Sequence, residues 1–254
     1  LSLIVEKKNH ILYVTINRPE AMNSITPELK DELHATFDEF EADDTLRVAI
    51  LTGAGEKAFC AGADLKKLVP KMSSGERPIA VSDQRWFSNV YKPIITAVNG
   101  WCLAGGVEMM NGTDIRIASE HARFGLSEAK WALYPAGGSV VRLVRHLPWA
   151  RAMEIILTGN QFTAEEAYHM GLINKVVPKE KLIETAEEYA EKIANNGPLA
   201  VRAIKEMAVR SLDLPMSQAF YWDSYMSTKI FKTEDAKEGP KAFAEKRKPN
   251  FIGK

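Results

Sequence analysis

The sequence predicts an α/β fold built as one structural unit, on three observations. Short β-branched or apolar runs at 11–16, 48–52, 94–98 and 114–118 alternate with helical patterns in the first half. Apolar periodicity makes the second half almost wholly helical. No Gly-, Ser- or Pro-rich linker divides the 254 residues, a length suited to one large domain or two small ones. The division expected is a core over 1–195 followed by a helical region over 196–254, without a linker between them.

The elements follow in order. Residues 11–16 form a β-branched strand that stops at Asn17-Arg18-Pro19. Thr26 caps a helix, Pro27 takes its first position, and Leu29, Leu33, Phe37 and Phe40 make its apolar stripe. Residues 48–52 read as a buried strand closed by Gly53, and strands at 94–98 and 114–118 follow. Residues 69–84 are the most loop-like stretch. Thr163-Ala-Glu-Glu166 is a capping box before a helix that Gly171 ends. Helices are expected over 179–195, from Pro198, over 217–229 and over 234–247.

Composition excludes several function classes. Lys+Arg and Asp+Glu are both 33, so no basic excess points to nucleic acid or an anionic membrane. The longest apolar stretch, 92–108, is broken by Asn99, Gly100, Gly105 and Gly106 and is too short to span a bilayer. Residues 1–8 carry no signal-peptide pattern, and the absence of a starting Met leads us to expect residues before Leu1. Two cysteines, Cys60 and Cys102, fit a reducing compartment and small buried filler. The expectation is a cytoplasmic protein; a mitochondrial matrix protein with its leader removed would look the same. Histidines 10, 34, 121, 146 and 169 have no metal-ligand spacing. Gly53-Ala54-Gly55 follows a strand, but no helix and no acid-ended second strand come after it, so it reads as a turn rather than a dinucleotide site.

Two segments carry candidate chemistry. Small residues in Ala58-Phe59-Cys60-Ala61-Gly62-Ala63-Asp64-Leu65 let a backbone N–H approach a ligand. Asn99 to Glu108 leaves a strand, turns on glycines and enters an apolar helix, whose free N–H groups favour an oxyanion. One amide from each segment would make an oxyanion hole. Glu108 falls one turn into that helix, and Glu128 is a second carboxylate on a loop of small residues. From the residues alone, plain turns and surface charges explain the same segments.

The motifs Asn17-Arg18-Pro19 with Ala21-Met22-Asn23, 59–65, 93–100, Gly105-Gly106-Val107-Glu108, 122–125, Leu157-Thr158-Gly159, 167–172 and the 238–247 tail occur in one order. In that order they resemble the crotonase, or enoyl-CoA hydratase/isomerase, superfamily nearly end to end. The resemblance implies a spiral of repeated ββα units with a C-terminal helical trimerisation region. It implies that the Ala63 and Gly105 amides bind the thioester carbonyl of an acyl-CoA and stabilise an enolate. It also implies that Ala61, Ala63, Asp64, Leu65, Lys66 and Gly105 border coenzyme A, which is part of the substrate; no separate cofactor and no metal are expected. Members that hydrate carry two glutamates, matched here by Glu108 and Glu128, twenty residues apart. Ser127 stands where many hydratases have proline, and the Pro135-Ala136-Gly137-Gly138 turn is one residue shorter than usual. The resemblance places both differences near the acyl pocket.

The expected activity is therefore hydration of a 2-enoyl-CoA. Another enolate reaction on an acyl-CoA, such as double-bond isomerisation, is the alternative among enzymes, and a non-catalytic binding member, including an RNA binder, the alternative outside them; zero net charge and the lack of a lysine-dense helix oppose the latter. Trp86, Phe87, Trp131 and Tyr134 are candidates for the acyl pocket, although such aromatics commonly serve as core. Phe243 and Lys246 are three apart and would share a helical face, suiting an adenine and a phosphate; an amphipathic helix with Phe243 in the core is the plainer reading. The resemblance adds that this tail meets the CoA of a neighbouring subunit in a trimer or hexamer. No membrane partner is expected.

Overall fold

In the computed structural model, residues 1–64, 70, 74–76 and 85–254 are described. The chain opens on a hairpin of β1 (Leu3–Lys8) and β2 (Ile11–Ile16), turned by Asn9 and His10, both with positive φ. Two central residues of that kind match the twist of antiparallel strands. The Thr26 hydroxyl then accepts the Leu29 N–H (3.2 Å) at the start of α1 (Pro27–Ala42), and Leu29, Leu33, Phe37 and Phe40 are its buried stripe.

Three successive turns of chain each give one strand to each of two sheets. β3 (Val48–Gly53), β5 (Ile94–Val98) and β7 (Ile115–Ser119) enter the large sheet. Their followers β4 (Ala58–Cys60), β6 (Trp101–Leu103) and β8 (Arg123–Gly125) enter the small one. β9 (Gln161–Thr163) and β10 (Lys175–Val177) complete the sheets. The large sheet has the order β1-β2-β3-β5-β7-β10, parallel from β2 onward; the small one has β4-β6-β8-β9, with β9 antiparallel.

Both faces of the large sheet are covered, which is why β3 and β5 read as continuous apolar runs. One face, with Leu12, Val14, Leu51 and Ile94, joins the main core with α1 and the small sheet. On the other, Ile11, Val48, Ile50, Ile95 and Ile117 meet Leu182, Ala186 and Ala190 of α6 (Leu182–Ala194). The other helices whose bounds fall within the described residues are α2 (Gly105–Asn111), α3 (Ser139–His146), α4 (Trp149–Thr158), α5 (Ala164–Met170), α7 (Pro198–Ser211), α8 (Met216–Phe231) and α9 (Glu234–Ala244).

Several expectations meet corrections. The 179–195 helix begins as a 3-10 turn, Lys179–Lys181, before α6. The last helix stops at Ala244 rather than 247, because Lys246 turns into the left-handed region (φ 53°) and the Arg247 N–H closes back on Ala242 O. β1, with one buried residue among its six, has no apolar run to announce it. β4, β6 and β8 have three residues each, too few for a sequence pattern. Most of the 69–84 stretch lies outside the described residues.

The parallel sheets are joined by amide side chains. Asn99 Nδ2 donates to Gly53 O and Gly55 O (both 2.8 Å), and Asn23 Nδ2 to Ala58 O (2.7 Å) and Ala54 O (3.0 Å). The β3–β4 connection is thereby fixed to its neighbours. Cys60 and Cys102 face one another across β4 and β6, fully buried; burial pushes the Cys60 thiol up to about 12 and Cys102 well above its ordinary range.

Candidate active site

The site lies where three adjacent parallel strands of the small sheet end. From β4 the chain leaves through Ala61–Gly62–Ala63–Asp64, from β6 through Ala104 into α2, and from β8 through Leu126–Ser127–Glu128. Such carboxyl-end edges are where strand-to-helix connections can converge on a ligand.

In the first loop, Ala61 N–H donates to Met22 O (3.0 Å) and Asp64 N–H to Ile25 O (2.8 Å), and the Gly62 amide bonds the Cys60 sulfur. Among the described residues, the Ala63 N–H is left without an acceptor. The second such donor is the Gly105 N–H, at the first position of α2, where no intrahelical partner exists. The two amides belong to loops in close contact. A Cβ on Gly105 would stand 3.5 Å from Ala63 N, and one on Gly62 would stand 2.8 Å from Ala104 Cβ. Gly62 has φ +98°, so both its conformation and its clearance demand glycine. Ala104 holds φ 49° and ψ −120°, an uncommon state for a residue with a Cβ, and it aims the start of α2.

Two carboxylates are brought to the same edge. Glu108 sits in the first turn of α2, 7% exposed, with Oε1 accepting the Gly137 N–H (2.7 Å) and Ser139 N–H (3.5 Å) at the start of α3. Burial, reinforced by the Glu128 charge, pushes its carboxyl up to about 7, against the pull of those two amides. Glu128 opens a 3-10 turn, Glu128–Trp131; burial also raises its carboxyl, and its buried Oε2 has no hydrogen-bond partner among the described residues. The Ala104 N–H donates to Gly125 O (2.8 Å), tying the Glu128 loop to the start of α2. Gly137 must lack a side chain. A Cβ there would meet Glu108 Oε2 at 2.6 Å and Trp86 Nε1 at 2.8 Å. Among the described residues, no group of three His, Cys, Asp or Glu side chains could hold a metal ion.

The family model for enoyl-CoA hydratase/isomerase matches residues 6–254. The chain belongs to this family. It is 45% identical over 98% of its length to the enoyl-CoA hydratase EchA19 of Mycobacterium tuberculosis, covering 95% of that protein. It is 42% identical to the (E)-benzylidenesuccinyl-CoA hydratase of Thauera aromatica, over all of both chains. Among solved structures, an enoyl-CoA hydratase from Bacillus anthracis superposes with a TM-score of 0.92 at 36% identity, over all of both chains. The expected crotonase spiral is thus the fold of this member of the family.

The other expected positions fall as follows. Ala61 lies in the first loop, Asp64 pairs with Arg18 (3.6 Å), and Leu65 and Lys66 lie outside the described residues. Phe243 is 88% exposed, so it is not docked in the core. Lys246 follows the end of α9, so the shared helical face does not exist. Trp86 and Phe87 are buried, whereas Trp131 and Tyr134 are exposed and serve no core in this chain. Sequence reasoning did not find the Gly137 and Ser139 donors, although the Gly137-Gly138 pair marked a sharp turn there. No helix among the described residues is long and apolar enough to cross a membrane.

Proposed function

We propose that this member of the family is an enoyl-CoA hydratase. The observation that carries the reading is a pair of glutamates of raised pKa, the buried Glu108 and the half-buried Glu128, converging with two acceptor-less amides, Ala63 N–H and Gly105 N–H. The amides receive the thioester oxygen and hold the enolate charge as it forms; one such donor is typically worth about 3–4 kcal/mol of barrier. Water adds its hydroxyl to the β-carbon, one carboxylate takes the water's proton, and a proton from the carboxyl pair goes to the α-carbon. Burial raises both carboxyls and the Glu128 charge raises that of Glu108 further, which favours keeping a proton on the buried Glu108.

Two carboxyl groups also support the hydratase reading over isomerisation, for which one group moving a single proton is sufficient. The names of the relatives support a CoA thioester as substrate. The test is a panel of 2-enoyl-CoA esters of different acyl groups, followed by loss of the conjugated-thioester absorbance. Hydration of at least one ester is expected. Migration of the double bond without uptake of water would replace this reading by the isomerase one.

A further inference from the structure

Behind Glu108 stands a residue to which the mechanism above gives no task. Arg142 lies on α3, the helix whose start donates the Gly137 and Ser139 amides to Glu108. Its Nη2 donates to Arg85 O (3.0 Å), Trp86 O (2.9 Å) and Ser88 Oγ (2.9 Å). Arg85 Nε in turn donates to Ala136 O (3.1 Å), next to Gly137. The 85–88 turn is therefore closed onto the loop that holds Glu108. It presents Trp86, whose Nε1 and the Glu108 Oε2 both lie within 2.8 Å of the point where a Cβ on Gly137 would stand. His34 of α1 stacks on the indole, centroids 5.5 Å apart and planes 9° apart.

The charge of Arg142 is unusual for a group that only bridges carbonyls. Among the described residues it forms no direct ion pair, and its buried Nη1 has no hydrogen-bond partner. A buried guanidinium is costly unless other charges compensate it. The carboxylates whose fields act on it are Glu108 and Asp114. A Cβ on Gly112, just past the end of α2, would stand 2.9 Å from Nη1 and 2.4 Å from Trp86 O, so the backbone there leaves room for this guanidinium only as glycine.

We propose that Arg142 is a positioning residue for Glu108: it pins the 85–88 turn, and with it Trp86, against the carboxylate, and it sets a fixed positive charge behind that carboxylate. The kinetic arm of the test rests on the hydratase reading; the titration arm does not. The groups acting on Glu108 are Glu128 from the 3-10 turn, Arg142 of α3 and the two amides at the start of α3; β4 and β6, also packed on α2, bring only the protonated thiols Cys60 and Cys102. Arg85 lies beside Arg142 and opposes its charge. Removing the cation at 142 takes away a charge that opposes burial and Glu128, so the Glu108 carboxyl is expected to titrate at higher pH.

The experiment compares Arg142→Met and Arg142→Lys with the parent, using crotonyl-CoA for kinetics and carboxyl-carbon NMR for Glu108, assigned by its loss in Glu108→Gln. For Arg142→Met we expect the Glu108 midpoint to rise by about one unit, kcat to fall at least about tenfold and KM to stay within about threefold. Arg142→Lys should restore the midpoint and only part of kcat, because an ammonium lacks the planar fork. An unmoved midpoint in Arg142→Met, whatever its kcat, overturns the proposal, as does a parental kcat in Arg142→Lys. If Arg142→Met does not fold, the lysine variant decides: a parental midpoint with reduced kcat supports the pinning. If the parent hydrates no enoyl-CoA, the hydratase reading fails and the NMR midpoints alone decide the role of Arg142.

Discussion

Glu108 concentrates the electrostatic cost of the site in one side chain. Its folded carboxyl titrates near 7 against an ordinary value of 4.5. Between these values the folded chain binds more protons than the unfolded one, so stability falls as pH rises through that window. The loss above it is on the order of 3 kcal/mol at about 1.4 kcal/mol per unit. Glu108→Gln should therefore be more stable than the parent at pH about 8, with the advantage shrinking toward pH about 5. Thermal melts at the two pH values check this, and equal differences at both would show that the carboxyl is not raised. The same variant should lose hydration by roughly a hundredfold or more, since it can neither take nor give a proton. Glu128→Gln should lose as much; near-parental turnover there would remove the two-carboxylate mechanism.

At the scale of elements, Asn99 is the joint between the sheets. It leaves β5, yet its amide satisfies two carbonyls of the β3–β4 connection. Asn99→Ala would strand those acceptors, at about 1–3 kcal/mol, and loosen the connection that leads into the Ala63 loop. Urea unfolding should show that loss together with lower turnover; stability lost at parental turnover would detach the joint from the site. The elements legible in the sequence were those with a repeating signal. The α1 stripe and its Thr26 cap, the β2, β3 and β5 runs, and the Thr163 capping box all stand as read, the box with both of its bonds formed. The three-residue strands were not legible, because no period can show in three residues. The approach of Gly137 to Glu108 joins positions 29 residues apart in sequence, and a contact of that kind leaves no local trace.

For the whole molecule, the C-terminal helices raise a different matter. α8 exposes Phe220, Tyr221, Trp222, Tyr225 and Phe231, and α9 exposes Phe243. So large an apolar face on one chain is what a symmetric assembly would cover. We expect a trimer or hexamer in sedimentation, and a shift to smaller species when Phe220 and Tyr225 are both changed to Glu; a monomeric parent at micromolar concentration would contradict the expectation. The resemblance of the motifs carried the overall architecture, and several of them, such as 59–65, 93–100 and 105–108, fall where strands pass into loops or helices. Meanwhile the tail beyond α9 is strapped back onto the core. Arg47 donates to Phe251 O (2.7 Å) and Ala194 O (2.8 Å), and the Asp235 carboxylate accepts the Ile252 and Gly253 amides.

The two thiols, finally, bear on how the molecule can be studied. Cys60 and Cys102 are sealed between β4 and β6 and held in their protonated form, and only a thiolate with access to reagent reacts. For maleimide chemistry the native chain therefore behaves as if it had no cysteine. A single cysteine introduced at an exposed position of α6, such as Glu188, could carry a fluorophore or spin label with the rest of the sequence unchanged.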